Sequence, residues 1–227
     1  MLVDDAAPVI AGSCLAALQI PASGVVLPAD CTVPPAARGL VMFIHGSGSN
    51  RFSARNRSVA HELQQAGLAT LLFDLLPPEL PQRPSGRAQA TPDLPQLSER
   101  VVAVIDALSA IEPLASLPMG LFGSSSGAAL AMAAAAHRPD RVRAVVSRGG
   151  RPDLVPGLLG EVCCPTLLLV GSHDLDVLEL NTWAAAQLRG VHELRVVPGA
   201  SHLFSEQGTL ALVSQWACQW FLQHLLP

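Results

Sequence analysis

The sequence predicts an α/β fold, a mostly parallel central sheet with helices on both faces and an antiparallel hairpin at its N-terminal edge. Three observations predict it. Apolar runs without alternation, the mark of strands covered on both faces, recur along the chain. Stretches of helical periodicity separate them. Half of the 227 residues are hydrophobic and only 14% are charged, so there is apolar surface enough for a sheet sandwiched between helices.

Taken in order, residues 14–20 and 24–31 are short apolar runs around Pro21-Ala22-Ser23-Gly24, which reads as a hairpin. Residues 39–44 form a continuous apolar strand running into His45-Gly46-Ser47-Gly48-Ser49. Residues 54–66 are helical, with Val59, Leu63 and Ala66 on one face and Gly67 as the stop. The alternation continues with a strand at 68–73, a helix at 97–111, a strand at 119–122 and an alanine-rich helix at 128–137. Strands at 142–146, 166–170 and 194–197 and helices at 175–188 and 210–226 complete it. Right-handed crossovers put every parallel strand's C-terminal end on one edge, where ligands bind in open α/β sheets. No repeat or linker divides the chain, so a single domain over 1–227 is expected. Residues 76–96 hold six prolines and Ser85-Gly86 and are expected to be neither helix nor strand, a lid-like loop on the ligand side.

Composition excludes several classes. The net charge is −4, and every cation is an arginine because the chain has no lysine. No basic face for nucleic acid is signalled. No apolar run reaches the roughly 18 residues of a membrane span. Asp4 and Asp5 stand where a secretory leader wants positive charge, and Ala11-Gly12-Ser13-Cys14 is only a faint match to a lipoprotein cleavage site. The five cysteines, Cys14, Cys31, Cys163, Cys164 and Cys218, fit no zinc spacing and are expected to be free, mostly buried thiols in a cytoplasmic protein.

Chemistry concentrates at strand ends. Gly123-Ser124-Ser125-Ser126-Gly127 places G-x-S-x-G between an apolar strand and a helix, the setting of a nucleophile elbow. Only Ser125 lies midway between the glycines, so Ser125 is the expected nucleophile. A serine hydroxyl needs a positioned base, and the chain order in such folds is serine, acid, histidine. Asp174 and His202 each follow a later strand and complete that order, with Asp176 a competing acid and His45 the second choice of base. Asp174 could instead cap the helix after it. The backbone N–H of Ser126 and, from the glycine-rich loop, that of Ser47 are the expected oxyanion donors, with Gly46 letting the main chain approach the substrate. His45 itself is expected to fix that loop through hydrogen bonds.

With these residues in place the chain resembles the dienelactone-hydrolase-like branch of the α/β-hydrolase fold over almost its whole length. The resemblance rests on His45–Ser49 followed by Arg55-Asn56-Arg57, on 120–127, on Ser147-Arg148-Gly149-Gly150-Arg151-Pro152-Asp153, and on Gly199-Ala200-Ser201-His202-Leu203-Phe204. The Ser147–Asp153 stretch is the mark of a smaller bacterial subgroup. True dienelactone hydrolases carry cysteine where Ser125 stands, so the resemblance implies cleavage of a small carboxylic ester or lactone rather than dienelactone opening. It implies no metal or organic cofactor and a monomer or homodimer, while charge and hydropathy lead to the expectation of no nucleic-acid or membrane partner.

Arg148 is placed at the end of the strand beside the nucleophile strand, where its guanidinium could bind a substrate carboxylate or pair with Asp153. Arg83 and Arg87 are weaker versions of the same idea. With no tyrosine, six phenylalanines and three tryptophans, a modest pocket lined by leucine and proline is expected. A thioesterase or amidase would use the same residues. From a different class, a binding protein could keep the fold without turnover.

Overall fold

The computed structural model describes residues 13–78 and 93–225. Its strands are β1 (Cys14–Ala22), β2 (Val25–Val33), β3 (Leu40–Ile44), β4 (Ala69–Phe73), β5 (Met119–Ser124), β6 (Val142–Arg148), β7 (Thr166–Gly171) and β8 (His192–Val197). Its α-helices are α1 (Ala54–Gln65), α2 (Leu94–Leu108), α3 (Ser126–His137), α4 (Leu175–Ala185) and α5 (Thr209–Leu225). Short 3-10 turns at Leu114–Ser116, Pro152–Leu154 and Pro156–Glu161, which the apolar pattern does not reveal, fill the connections.

All eight strands form one sheet in the order β1-β2-β4-β3-β5-β6-β7-β8. The hairpin sits at one edge, and β2 pairs antiparallel with β4 while the six remaining strands run parallel. The hairpin closes through Ser23 and Gly24, both at positive φ (47° and 78°), as a tight two-residue turn requires. Strands β3, β4, β5 and β7 are buried at every residue, which is why their sequences are apolar without alternation.

The sheet separates two cores. One side gathers Leu40, Met42, Leu121 and Val145 with Val101, Ile105 and the alanines of α3. The other packs Val41, Phe43, Phe122 and Val146 against Val59 and Leu63 of α1 and Val213, Ala217 and Phe221 of α5. Each large side chain so buried contributes about 1.5–3 kcal/mol. Helix α3 has no polar stripe because it is buried all round, residues 127–135 included, and alanine lets it lie close to the sheet.

The structure begins α2 at Leu94, three residues earlier than the proline count suggested. Asp93 caps it by accepting from the Gln96 N–H (3.0 Å), and Pro95 falls in the first turn, where a missing N–H costs nothing. Residues 94–96 are therefore helix. The lid-like behaviour expected of the proline-rich segment falls on 79–92, outside the described residues. The cysteines are all free, but only Cys31 is buried, while Cys14 and Cys163 are exposed and Cys164 and Cys218 half-buried. The expectation of mostly buried thiols is corrected, because Cys14 lies on the outermost strand and Cys163 in a surface turn. Among the described residues no helix is long and apolar enough to cross a membrane.

Candidate active site

The end of β5 turns into α3 through Ser125, whose backbone stands at φ 52°, ψ −127°. A non-glycine residue there stores about 1–3 kcal/mol of strain, which the surroundings must hold. They hold it with three backbone bonds: the Ser125 N–H donates to Arg148 O, and Ser125 O accepts from Ala128 and Arg151, each at 3.1 Å. The two elbow glycines are required by space. A Cβ on Gly123 would stand 2.4 Å from Ala128 Cα, and one on Gly127 would stand 2.2 Å from Ile44 O. Although Ser125 occupies the cap position of α3, its side chain makes no capping bond. Ser124 is buried, in keeping with its direction into the strand end.

Asp174 follows β7 and His202 follows β8. Asp174 also sits at the cap of α4, yet makes no capping bond; its carboxylate instead lies 2.7 Å from His202 Nδ1. A carboxylate only accepts, so Nδ1 carries the proton and Nε2 is the ring nitrogen left to receive one. The two loops are laced together by Ser172 N–H to Val197 O (3.0 Å), His173 N–H to Ala200 O (2.9 Å) and Gly199 N–H to Ser172 Oγ (2.8 Å). Glu206 accepts from the Ser201 N–H at 3.0 Å, and that hydrogen bonding holds its carboxyl below the ordinary range. Gly149 brings the β6 loop alongside: the point its Cβ would occupy is 3.5 Å from His202 Nδ1. Asp176 is exposed on the first turn of α4 and does not reach the histidine.

His45 is engaged at both nitrogens. Nδ1 donates to Gly46 O (2.9 Å), and Nε2 accepts from the Leu75 N–H (3.1 Å). Burial holds its pKa below the ordinary value, so it stays neutral as a structural clamp and has no free nitrogen to act as a base. Gly46 lies close against Ser125, where a Cβ would come 3.0 Å from Ser125 Cβ.

The Ser47 N–H, expected to face a substrate oxygen, donates to Ser126 Oγ at 2.9 Å, and the two hydroxyls lie 3.0 Å apart. A hydroxyl oxygen therefore already occupies the donor. Both serines line a cavity of about 120 Å³ with His45, Gly46, Leu75, Leu76, Leu97 and Leu130. Among the described residues, leucines line it as expected. A larger groove of about 810 Å³ between α2, α3 and the turn at 152–158 contains none of the candidate site residues.

Arg148 is buried with 8% of its surface exposed, and the expected pairing with Asp153 does not form. Asp153 is taken by Arg151 (2.8 Å), only two residues away along the turn. Two residues the sequence did not single out also support these loops: Arg51 ties the β3 loop to Asp74, and Glu206 braces the His202 loop; Ser126, expected only for its backbone N–H, contributes its hydroxyl too. Nothing in apolar periodicity marks such contacts. Among the described residues no group of three or more His, Cys, Asp or Glu could hold a metal ion.

No protein-family profile matches the chain. It is 45% identical to dienelactone hydrolase from Anabaena variabilis, covering 94% of this chain and 99% of that one, and the two superpose with a TM-score of 0.88. A Pyrococcus furiosus esterase shares the fold at 16% identity, with a TM-score of 0.73 over 93% of this chain and 91% of that one. Two curated proteins from strains of Mycobacterium tuberculosis, under the provisional name phosphoribosyl transferase, are 51% identical over 208 residues. That match covers 92% of this chain but only 46% of theirs, so the chain spans about half the length of the curated relatives it matches.

Proposed function

The chain belongs to the dienelactone-hydrolase-like branch of the α/β-hydrolases, and from that membership we propose that it is a serine hydrolase cleaving a small carboxylic ester or lactone. The observation that carries this reading is the strained elbow at Ser125 after β5 together with the Asp174–His202 pair, which joins the ends of β7 and β8 in the same parallel sheet. Ser125 Oγ attacks the ester carbonyl carbon while His202 Nε2 takes the hydroxyl proton, and Asp174 stabilises the imidazolium through Nδ1. The tetrahedral oxyanion accepts from the N–H groups of Ser126 and Ser47, each worth about 10²–10³ in rate. For the Ser47 donor to serve, the substrate oxygen displaces the Ser126 hydroxyl that now occupies it. His202 then returns its proton to the departing alcohol, leaving an acyl-Ser125 ester. Water attacks that ester with His202 again as base, releasing the acid and restoring Ser125.

The leucine-lined cavity of about 120 Å³ suits a short chain, about four water-sized groups at ~30 Å³ each. The phosphoribosyl-transferase name is not carried over, since more than half of those relatives lies outside the matched region. A fluorophosphonate probe followed by peptide mass spectrometry tests the proposal: Ser125 alone should be labelled in native protein and not after unfolding. Labelling of another serine, or none, would refute it.

A further inference from the structure

Asn181 is fully buried in α4, and its amide is engaged at one end only. Its Nδ2 donates to Gly150 O at 2.9 Å and to Val177 O at 2.8 Å, while Oδ1 is sealed from solvent without a partner. Two carbonyls against the same atom fix which end of the amide faces them, since a carbonyl only accepts. The idle oxygen carries its desolvation penalty, which an apolar side chain at this place would avoid. Where Asn181 stands gives that cost a reason.

Gly150 belongs to the segment 148–151 at the end of β6, which touches both Ser125 and His202. Arg148 O accepts from the Ser125 N–H, and the Arg151 N–H donates to Ser125 O, each at 3.1 Å. Gly149 is held by its N–H to Leu169 O (2.7 Å) and stands at φ 51°, with the point its Cβ would occupy 3.3 Å from His202 O. A Cβ on Gly150 would fall 1.9 Å from Ser147 Oγ and 2.6 Å from Ala128 Cβ, so the segment presses on the first turn of α3. Asn181 reaches this segment from α4, the helix whose cap position is Asp174. Asp174, Val177 and Asn181 are spaced i, i+3, i+7, which puts them on one stripe of the helix, with its two ends about 10 Å apart along the axis. Asp174 makes no capping bond in its own first turn, so the direction of its carboxylate follows the roll of α4.

We propose that Asn181 is a positioning residue: its amide fixes the roll of α4, and with it the Asp174 carboxylate, against the segment that holds Ser125 and flanks His202. One buried side chain thereby sets the acid and the nucleophile in a common frame, although it touches neither. This rests on the hydrolase reading of Ser125.

The experiment follows p-nitrophenyl acetate turnover and fluorophosphonate labelling of Ser125 in Asn181→Ala and in the nearly isosteric Asn181→Asp. Active sites are counted by intact mass after complete labelling, so any loss of folded protein is divided out. Per labelled site, kcat should fall about tenfold to a hundredfold in Asn181→Ala, the cost of about 1 Å of misplacement, with KM held within about twofold. Asn181→Asp, which when ionised presents only acceptors to the two carbonyls, should fall in the same direction and serves where the alanine variant does not fold. In the Asp174→Asn background, Asn181→Ala should slow labelling by less than about threefold, because the group it positions is already disabled. An unchanged kcat per labelled site, a change confined to KM, or an undiminished loss in the Asp174→Asn background overturns the positioning role and leaves the hydrolase reading in place. A wild type that turns over no p-nitrophenyl ester and is not labelled at Ser125 overturns both.

Discussion

The strand that carries Ser125 has two faces, furnished in opposite ways at the same edge. On the α2 and α3 face the edge opens into a cavity walled by Leu75, Leu76, Leu97 and Leu130, and the polar atoms there are matched: His45 is bonded at both nitrogens, and Ser47 and Ser126 hold one another. On the α1 and α5 face, Arg148 and Arg55 leave donors without acceptors. Ser147 Oγ on the first face is buried without a partner as well, so the two faces differ in charge: hydroxyls and an imidazole on one, guanidinium groups on the other. The difference teaches what burial costs a polar group. With its partners present it stabilises the fold, whereas without them it carries a desolvation penalty, heaviest for a charge.

The comparison can be broken or sharpened by substitution. The largest effects lie at the strand ends, in the loops after β7 and β8. His202→Ala should lower p-nitrophenyl acetate turnover by roughly 10³–10⁶, with the melting temperature little changed. Asp174→Asn should cost up to about 10⁴ and Asp176→Asn almost nothing, and the reverse order in steady-state kinetics would move the acid. On the apolar face, Leu97→Phe should fill the cavity and lower kcat/KM for p-nitrophenyl valerate relative to acetate by about tenfold, one to two methylenes' worth. An unchanged chain-length profile would put the acyl group elsewhere. The smallest effect concerns His45. Its folded pKa lies below the unfolded one, so the unfolded chain binds the proton first. The stability it contributes is complete above the unfolded value, about 6.5, and is lost as pH falls below it. Urea titrations from pH 7.5 to 5 should show that loss in the wild type and a shallower one in His45→Gln; equal slopes would remove the clamp from the account.

Much of this could be read in the chain itself. The strand cores and helix faces followed from apolar periodicity, because burial on both faces of β3, β5 and β7 leaves no room for polar alternation. The sharp turn at Ser125 was legible from the space its two glycines must leave, a steric requirement local to five residues. The start of α2 was misjudged because six prolines outweighed one capping aspartate, although proline is harmless in a first turn.

What the sequence determined by itself was the order of elements and the residues standing at the strand ends, since hydrophobic period, turn chemistry and chain order are local properties. Which of those residues meet was decided by the tertiary structure. Asp174 turns to His202 and away from its own helix, Asp153 goes to Arg151 and leaves Arg148 unpaired, and Ser126 Oγ takes the Ser47 N–H. Each choice depends on distances between segments many residues apart, set by how strands pair and helices pack, which the linear pattern does not contain.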